Sequence, residues 1–313
     1  MKKIAAIAIV SLFVLSVASA DTIINEKFSS DPLQNGWQIF GDTNLFQWDS
    51  VNQNLTVTWD SSQTNSYFYQ PLGRTFTKAD GFCVQFDLNL KDVNAIGYFQ
   101  LAIGLCNFAE ATSTNFSRAN FTSPDLFEFD YYPDGLLSYG PSIDATLIDA
   151  ANNLYFAFDA TQPMLTNTTY RVVLVHPAGS AIISGTVYTN GQPFTKLPSI
   201  AAYGTDNFNL DILAICNYTT LDDIYGDSLL AHGTVGNLAF ASPLPIGAMK
   251  TLAAGEIQFI SDTNWLYTLE QSADFKNWSS AAPTIPGNGT NLILQATDLP
   301  AEKEFYRIRA DLP

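Results

Sequence analysis

The sequence predicts an all-β protein, in which an antiparallel two-sheet jelly-roll sandwich is followed by a small β module. Apolar residues alternate with polar ones along many short segments, and turn signals such as Asn190-Gly191 separate these segments. No helical periodicity extends over eleven or more residues after Ala20. Roughly a dozen strands within about 220 residues indicate two packed antiparallel sheets.

The alternation predicts the strands one by one. In the large domain the predicted strands are 22–28, 54–59, 66–69, 84–90, 99–105, 126–132, 153–159, 170–175, 181–188, 208–216 and 234–240, and in the small module they are 256–261, 265–272, 291–297 and 304–309. Residues 107–124 form a long polar connection between two of these strands. Connections of this length are usually functional or mobile.

The strands 84–90 and 99–105 are predicted to form a hairpin, in the register that places each large apolar residue opposite another. This register sets Cys83 directly opposite Cys106, close enough for a disulfide in an oxidising compartment. We therefore expect these two cysteines to be close in space, and Cys216 to be buried and unpaired. The alternative is that all three cysteines are small buried hydrophobic residues.

Residues 1–20 have the pattern of a secretory signal peptide. Lys2 and Lys3 precede an apolar run, and Ala18-Ser19-Ala20 supplies the small residues of a cleavage site. The apolar run is too short for a hydrocarbon core of about 30 Å, which argues against a membrane anchor. We therefore expect a secreted, periplasmic or cell-surface protein.

The domain boundary is predicted from Pro243, Pro245 and Gly247, which indicate a linker. The expected organisation is a signal peptide at 1–20, a sandwich at 21–241, a linker at 242–250 and a small β-sheet accessory module at 251–313.

The charge is strongly acidic, with a formal value of −16 for the chain and −18 once Lys2 and Lys3 are removed. Such a surface repels nucleic acid and anionic membranes, and it favours cations and neutral ligands. We therefore expect neither nucleic-acid binding nor membrane insertion.

Two motifs carry a resemblance to a known family. The opening Phe28-Ser29-Ser30-Asp31-Pro32-Leu33 … Gly36-Trp37 and the closing strand His232-Gly233-Thr234-Val235-Gly236-Asn237-Leu238 are similar to those of the concanavalin A-like lectin/glucanase superfamily. In that family the last strand lies beside the first, and many members bind carbohydrate. The C-terminal segment resembles the short β modules of exported bacterial proteins, which are usually accessory.

The segment 128–134 resembles the metal-binding strand of legume-type lectins, E-x-D-x-[YF]-x-N. The resemblance implies that Glu128 and Asp130 are carboxylate ligands, that Tyr132 lends a backbone carbonyl, and that Asp134 stands in place of the usual Asn. Oxygen ligands of this kind suit Ca²⁺, so calcium is the one expected cofactor. The further Asp and His of the family pattern are missing, which argues against a transition-metal site.

The same segment also resembles the catalytic strand of related glucanases, E-x-D-x-x-E. Pro133 occupies the position of the second Glu, and proline cannot transfer a proton. No catalytic residue is therefore predicted. A third possibility is a solvated strand face whose Asp134 helps to form the following turn.

Aromatic side chains are the expected platform for a glycan, because the C–H faces of sugars stack on flat apolar rings. The candidate ligand-binding residues are Trp37, Tyr67, Tyr69, Tyr131 and Tyr139. Tyr67 and Tyr69 share one face of a strand, which we expect to be a wet binding face. The predicted function is an exported, noncatalytic, lectin-like carbohydrate-binding protein assisted by calcium. A glycoside hydrolase-like enzyme and a purely structural surface or matrix protein are the alternatives.

Overall fold

The computed structural model describes residues 22–135, 140–156, 159–160, 162–180, 182–201, 207–223, 225–242, 246–253, 255–261, 265–273, 278–297 and 305–311. The chain is nearly all-β and contains two eight-stranded antiparallel sheets, so the predicted sandwich is confirmed. A membrane-spanning helix is not found in these residues.

Sheet I contains β1 (Thr22–Glu26), β3 (Phe46–Asp49), β4 (Asn54–Asp60), β6 (Phe82–Ile96), β12 (Thr169–His176), β13 (Ile182–Thr189), β14 (Gln192–Ala201) and β16 (Ser228–Ser242). Its order is β14-β13-β12-β6-β16-β4-β3, and β1 pairs with β16. The first strand therefore lies beside the last strand of the sandwich, as predicted. Asn190 and Gly191 both have positive φ in the turn between β13 and β14, which confirms the predicted hairpin turn.

Sheet II contains β2 (Gln38–Phe40), β5 (Ser66–Phe76), β7 (Leu101–Cys106), β8 (Leu126–Tyr132), β9 (Ser142–Ile148), β10 (Leu154–Phe156), β11 (Asp159–Ala160) and β15 (Leu210–Asn217). Its order is β10-β9-β8-β7-β15-β5-β2, and β11 pairs with β9. One short helix, α1 (Phe108–Ala111), follows β7, and two 3₁₀ turns, Pro32–Gln34 and Thr43–Leu45, lie near β2.

The core lies between the two sheets and is filled by the apolar side chains that point inward from their strands. Phe86 of sheet I meets Phe129 of sheet II edge to face, with 5.6 Å between the ring centroids. The neighbouring residues in sequence point away from this core, so each sheet also has an outer face. These two outer faces carry the polar clusters described below.

The C-terminal unit is built from two small sheets. Its strands are β17 (Ile246–Ala253), β18 (Glu256–Ser261), β19 (Leu266–Ser272), β20 (Ser279–Ser280), β21 (Ile285–Pro286), β22 (Asn291–Gln295) and β23 (Phe305–Asp311). Its buried residues, among them Phe259 and Tyr267, form a cluster with Cys83 and Ala241 from the outer face of sheet I. The unit therefore packs on that face. The predicted linker at 242–250 is not an open connection, because β17 begins within it and pairs with β18.

The predicted hairpin between 84–90 and 99–105 is wrong. β6 lies in sheet I and β7 in sheet II, so their apolar residues face each other across the core instead of pairing edge to edge. Cys83 is opposite Val175 and Ala241, whereas Cys106 is opposite Leu126 and Ile212 in the other sheet, so the disulfide candidate is wrong as well.

All three cysteines are free and buried. Cys216 is therefore buried without a disulfide, as expected. Burial raises the pKa of the Cys83 thiol to about 12, which is the behaviour of a small hydrophobic residue rather than of a reactive one.

Candidate functional site

The strand that carries the predicted metal ligands is β8. Its alternation directs Phe127 and Phe129 into the core and Glu128, Asp130 and Tyr132 to the outer face of sheet II. The predicted facing of these residues is therefore correct. However, the outer face is not open to solvent, since every residue of β8 is buried.

Arg118 occupies the centre of this cluster. Its Nε donates to Glu128 Oε1 at 2.8 Å, and its Nη2 donates to Asp130 Oδ2 at 2.9 Å. The Arg118 side chain is 2% exposed and both carboxylates are 0% exposed. Tyr218 donates to the other oxygen of Glu128 at 2.8 Å, and Thr146 donates to Asp130 at 2.6 Å. The guanidinium of Arg118 thus supplies the positive charge that the sequence resemblance assigned to a calcium ion.

The cluster carries more acid than base. Asp144 lies directly opposite Asp130 on the neighbouring strand and is also buried, so a third carboxyl group lies near the Glu128–Asp130 pair. Burial, followed by repulsion from Asp130, raises the pKa of Glu128 to about 8 against the opposing effects of Arg118 and Tyr218. The covered face of sheet II therefore favours the protonated form of Glu128 more than water does.

The segment 107–125 covers the cluster. Asn107 caps α1 at the start of the segment. Further along, the side chain of Arg118 points into the outer face of sheet II. Phe116 packs against Tyr218, and on the other side Tyr98 stacks on Tyr132 at 4.2 Å. The predicted functional or mobile connection is thus a cover, and two of its side chains, Ala111 and Phe116, belong to the core.

Asp134 lies apart from the other predicted ligands. It is exposed after the end of β8, and its Oδ2 accepts from the backbone N–H of Gly97 at 2.9 Å. Among the described residues, no group of three or more His, Cys, Asp or Glu side chains is arranged to hold a metal. The sequence resemblance predicts calcium at this cluster, where the ion would have to compete with Arg118 for Glu128 and Asp130.

The predicted aromatic platform is buried. Trp37 stacks on Phe68 at 4.8 Å and is 2% exposed. Tyr67 donates to the backbone carbonyl of Ala111 in the covering segment, so the face that we expected to be wet is covered by α1.

The remaining aromatic candidates are Tyr69, Tyr131 and Tyr139. Tyr69 is stacked on Phe108 of α1, and Tyr131 lies in the core. Tyr139 lies outside the described residues. In this structure, therefore, Trp37, Tyr67, Tyr69 and Tyr131 offer no ring face to a ligand.

An open cleft lies on the opposite side of the sandwich, between the outer face of sheet I and the C-terminal unit. Its volume is about 1090 Å³. One wall comes from β6, β12 and the β13–β14 hairpin, and the other wall comes from β19, β20 and β23. Clefts between structural units are a common location for ligand sites.

Charged pairs line both walls of the cleft. Arg171 makes a bidentate pair with Asp87, with Nε–Oδ1 2.7 Å and Nη2–Oδ2 3.0 Å. On the other wall Glu270 accepts from Arg307 at 2.6 Å and from Arg309 at 2.7 Å. Strand pairing explains this second group, because Arg307 lies opposite Glu270 and Arg309 is two residues further on the same face.

Aromatic and amide side chains complete the lining. The Arg307 guanidinium lies over the Trp278 ring, 4.2 Å from its centroid. Tyr188 is half-buried, whereas Asn190 and Gln192 are exposed at the β13–β14 turn.

The sequence alone does not predict this cleft, although one feature of the composition points to it. The chain has only five arginines, at positions 74, 118, 171, 307 and 309, and three of them line the cleft. Arg171 is more than 130 residues away from Arg307 and Arg309 in the sequence, so only the tertiary structure brings the three arginines together.

No protein-family model matches the sequence, and the search of curated proteins found no match. Similar solved structures include lectin II from Ulex europaeus, with 13% identity, a TM-score of 0.44, and coverage of 71% of this chain and 98% of that chain. Peanut lectin has 10% identity, a TM-score of 0.41, and coverage of 70% and 99%. An alginate lyase in complex with alginate trisaccharide has 9% identity, a TM-score of 0.39, and coverage of 70% and 97%.

Proposed function

We propose that this chain is a carbohydrate-binding protein and that its binding site is the cleft between sheet I and the C-terminal unit. The observation that carries the proposal is the composition of the cleft, which joins Trp278 and Tyr188 to charged and amide side chains. Sugars present apolar C–H faces together with hydroxyl groups that both donate and accept hydrogen bonds. Aromatic rings and planar polar groups on one surface match both features.

The size of the cleft suits an oligosaccharide. Pockets for small molecules typically have volumes of about 300–1,000 Å³, and this cleft reaches 1090 Å³.

We propose that the activity is noncatalytic. In the cleft, both oxygens of Asp87 and both oxygens of Glu270 accept hydrogen bonds from arginine, so neither carboxyl group is placed to give a proton to a glycosidic oxygen. On the other side, Glu128 and Asp130 are buried under the covering segment and bound to Arg118.

Export is part of the proposal, since a polysaccharide ligand lies outside the cytoplasm. The signal-peptide pattern of residues 1–20 is its support. A purely structural role of the two units as spacers is the competing function, and it predicts no saccharide binding.

Affinity electrophoresis of the full chain in gels that contain neutral or acidic polysaccharides tests the proposal. We expect retardation in at least one gel and loss of most of it in Trp278→Ala, because the substitution removes one of the aromatic rings that line the cleft. Tyr225→Ala is the matched control, since Tyr225 is 74% exposed and does not line the cleft. Equal mobility in every gel, or equal loss in both variants, would contradict the proposal.

Release of reducing sugar from the retained polysaccharides tests the noncatalytic part separately. We expect none above that of a heat-treated sample. Release that disappears in Glu270→Gln or Glu128→Gln would show that the corresponding carboxyl group is catalytic.

A further inference from the structure

Arginine is distributed unevenly in this acidic chain. The formal charge of the chain is −16, and it has only five arginines, of which Arg171, Arg307 and Arg309 line the cleft. The charged residues among the described lining are these three arginines with Asp87 and Glu270, which gives a local formal charge of +1. The sign of the cleft is therefore opposite to that of the whole chain.

The acids and the bases of the cleft lie at different depths. The side chains of Arg171, Arg307 and Arg309 are 42%, 29% and 40% exposed, respectively. By contrast, the side chains of Asp87 and Glu270 are only 16% and 5% exposed. A ligand in the cleft therefore meets guanidinium groups first, with the carboxylates beneath them holding the arginines in place.

The carboxylates beneath also fix the direction of the arginines. Asp87 accepts from Nε and Nη2 of Arg171, and Asn237 donates to the same carboxylate at 2.6 Å. An arginine that is held in this way loses less side-chain entropy on binding a ligand. Each guanidinium has five N–H donors, so one carboxylate does not exhaust it.

Such a local excess of positive charge attracts anions, even on a protein whose net charge is negative.

We infer that the cleft selects saccharides that carry carboxylate groups, such as chains of uronic acids, through Arg171, Arg307 and Arg309. This inference rests on the proposed function and names the ligand class of that same site. Guanidinium groups bind carboxylates through paired, charge-assisted hydrogen bonds, which a neutral sugar cannot form.

The test is a calorimetric titration of the full chain with an oligogalacturonate and with the same oligosaccharide as its methyl ester, both in chelator at pH 7. The two probes share one backbone and differ only in the masked charge, and the chelator excludes bridging by divalent cations. We expect the acid to bind at least about tenfold more tightly than the ester, since a hydrogen bond to a charged group contributes about that factor or more. The affinity for the acid is expected to fall as the salt concentration rises.

Arg309→Gln and Arg171→Gln are each expected to weaken binding of the acid by about tenfold and binding of the ester by less, so the preference for the acid over the ester falls in each variant. Arg74→Gln is the matched control, because Arg74 also pairs with a carboxylate and is 32% exposed, but it lies outside the cleft. The thermal unfolding of each variant is compared with that of the parent protein.

Equal affinity for the acid and the ester would overturn the inference and leave the proposed function standing. Tighter binding of the acid that Arg74→Gln weakens as much as the cleft variants would also overturn it, since the selecting charge would then lie elsewhere. If the chain binds none of the neutral and acidic polysaccharides in the electrophoresis gels and neither of the two oligosaccharides, the proposed function fails and the inference fails with it.

Discussion

The two outer faces of the sandwich carry arginine–carboxylate clusters of similar chemistry and opposite accessibility. On sheet II, Arg118 and its partners Glu128 and Asp130 are covered by the segment 107–125 and exclude water. On sheet I, Arg171 and Asp87 lie in an open cleft against the C-terminal unit. The same pair of chemical groups therefore belongs to the core in one place and to a candidate binding surface in the other.

The difference follows from desolvation. Moving an ion pair into a dry interior costs several kcal/mol per ion, which only good geometry and additional hydrogen bonds can offset. The Arg118 cluster offsets part of this cost through hydrogen bonds from Tyr218 and Thr146, and the Arg118 side chain is only 2% exposed. A half-exposed pair keeps part of its hydration, so a ligand can bind the arginine without dismantling the fold.

The largest predicted effect is on stability. Arg118→Met leaves the buried Glu128–Asp130 pair without its cation, which we expect to lower the free energy of unfolding by about 3–5 kcal/mol. Arg171→Met is the matched substitution in the cleft, and we expect it to cost about 1 kcal/mol or less. Urea unfolding of both variants measures the difference, and equal losses would contradict the distinction between the two clusters.

A companion variant separates charge from packing at the same site. Arg118→Met combined with Glu128→Gln and Asp130→Asn removes the uncompensated charge, and we expect it to recover part of the lost stability. If the triple variant is less stable than Arg118→Met alone, the guanidinium acts mainly through its shape and hydrogen bonds.

The next effect is a dependence on pH. The folded-state pKa of Glu128 is about 8 and lies above the unfolded value of 4.5, so the folded state binds the proton more tightly. The resulting stabilisation is complete below the unfolded pKa and is lost as the pH rises towards about 8. We expect the free energy of unfolding to fall over this window, and the fall to be much smaller in Glu128→Gln. A rise in stability over the same window that the variant abolishes would contradict the assignment.

The smallest predicted effect concerns calcium. A site saturated with ligand at a hundred times its dissociation constant stabilises the fold by about 2.7 kcal/mol. Because Arg118 already occupies the Glu128 and Asp130 oxygens, we expect the same melting temperature with calcium and with chelator. A clear increase with calcium would support the metal site that the sequence resemblance implies, and loss of that increase in Asp134→Asn would locate it.

The strands were predictable because the alternation of apolar and polar residues indicates which side of a strand is buried. The bounds of β8 and β18 coincide with the prediction, and the facing of Glu128 and Asp130 is correct. Pairing was not predictable from the same signal. β6 and β7 have equivalent alternation because both contribute to one core, so the pattern fits two strands paired in one sheet as well as two strands in opposite sheets.

The site was less predictable than the fold, for two physical reasons. Burial of the second face of sheet II depends on a polar segment, and nothing local in residues 107–124 shows that Arg118 will be inserted under it. The cleft forms between two units that are far apart in sequence, so the sequence does not show that Arg171 and Glu270 line the same site. The acidic net charge correctly describes the surface as a whole, whereas ligand choice depends on the local sign within the cleft.

Hydrogen–deuterium exchange with and without the tighter-binding of the two titrated oligosaccharides compares the two faces in one measurement. The account predicts slower exchange at the β13–β14 turn, around residues 188–192, and along β23, with no change in residues 108–132. Protection confined to residues 108–132 would place the ligand on sheet II instead and would contradict the central claim that the open cleft is the binding site.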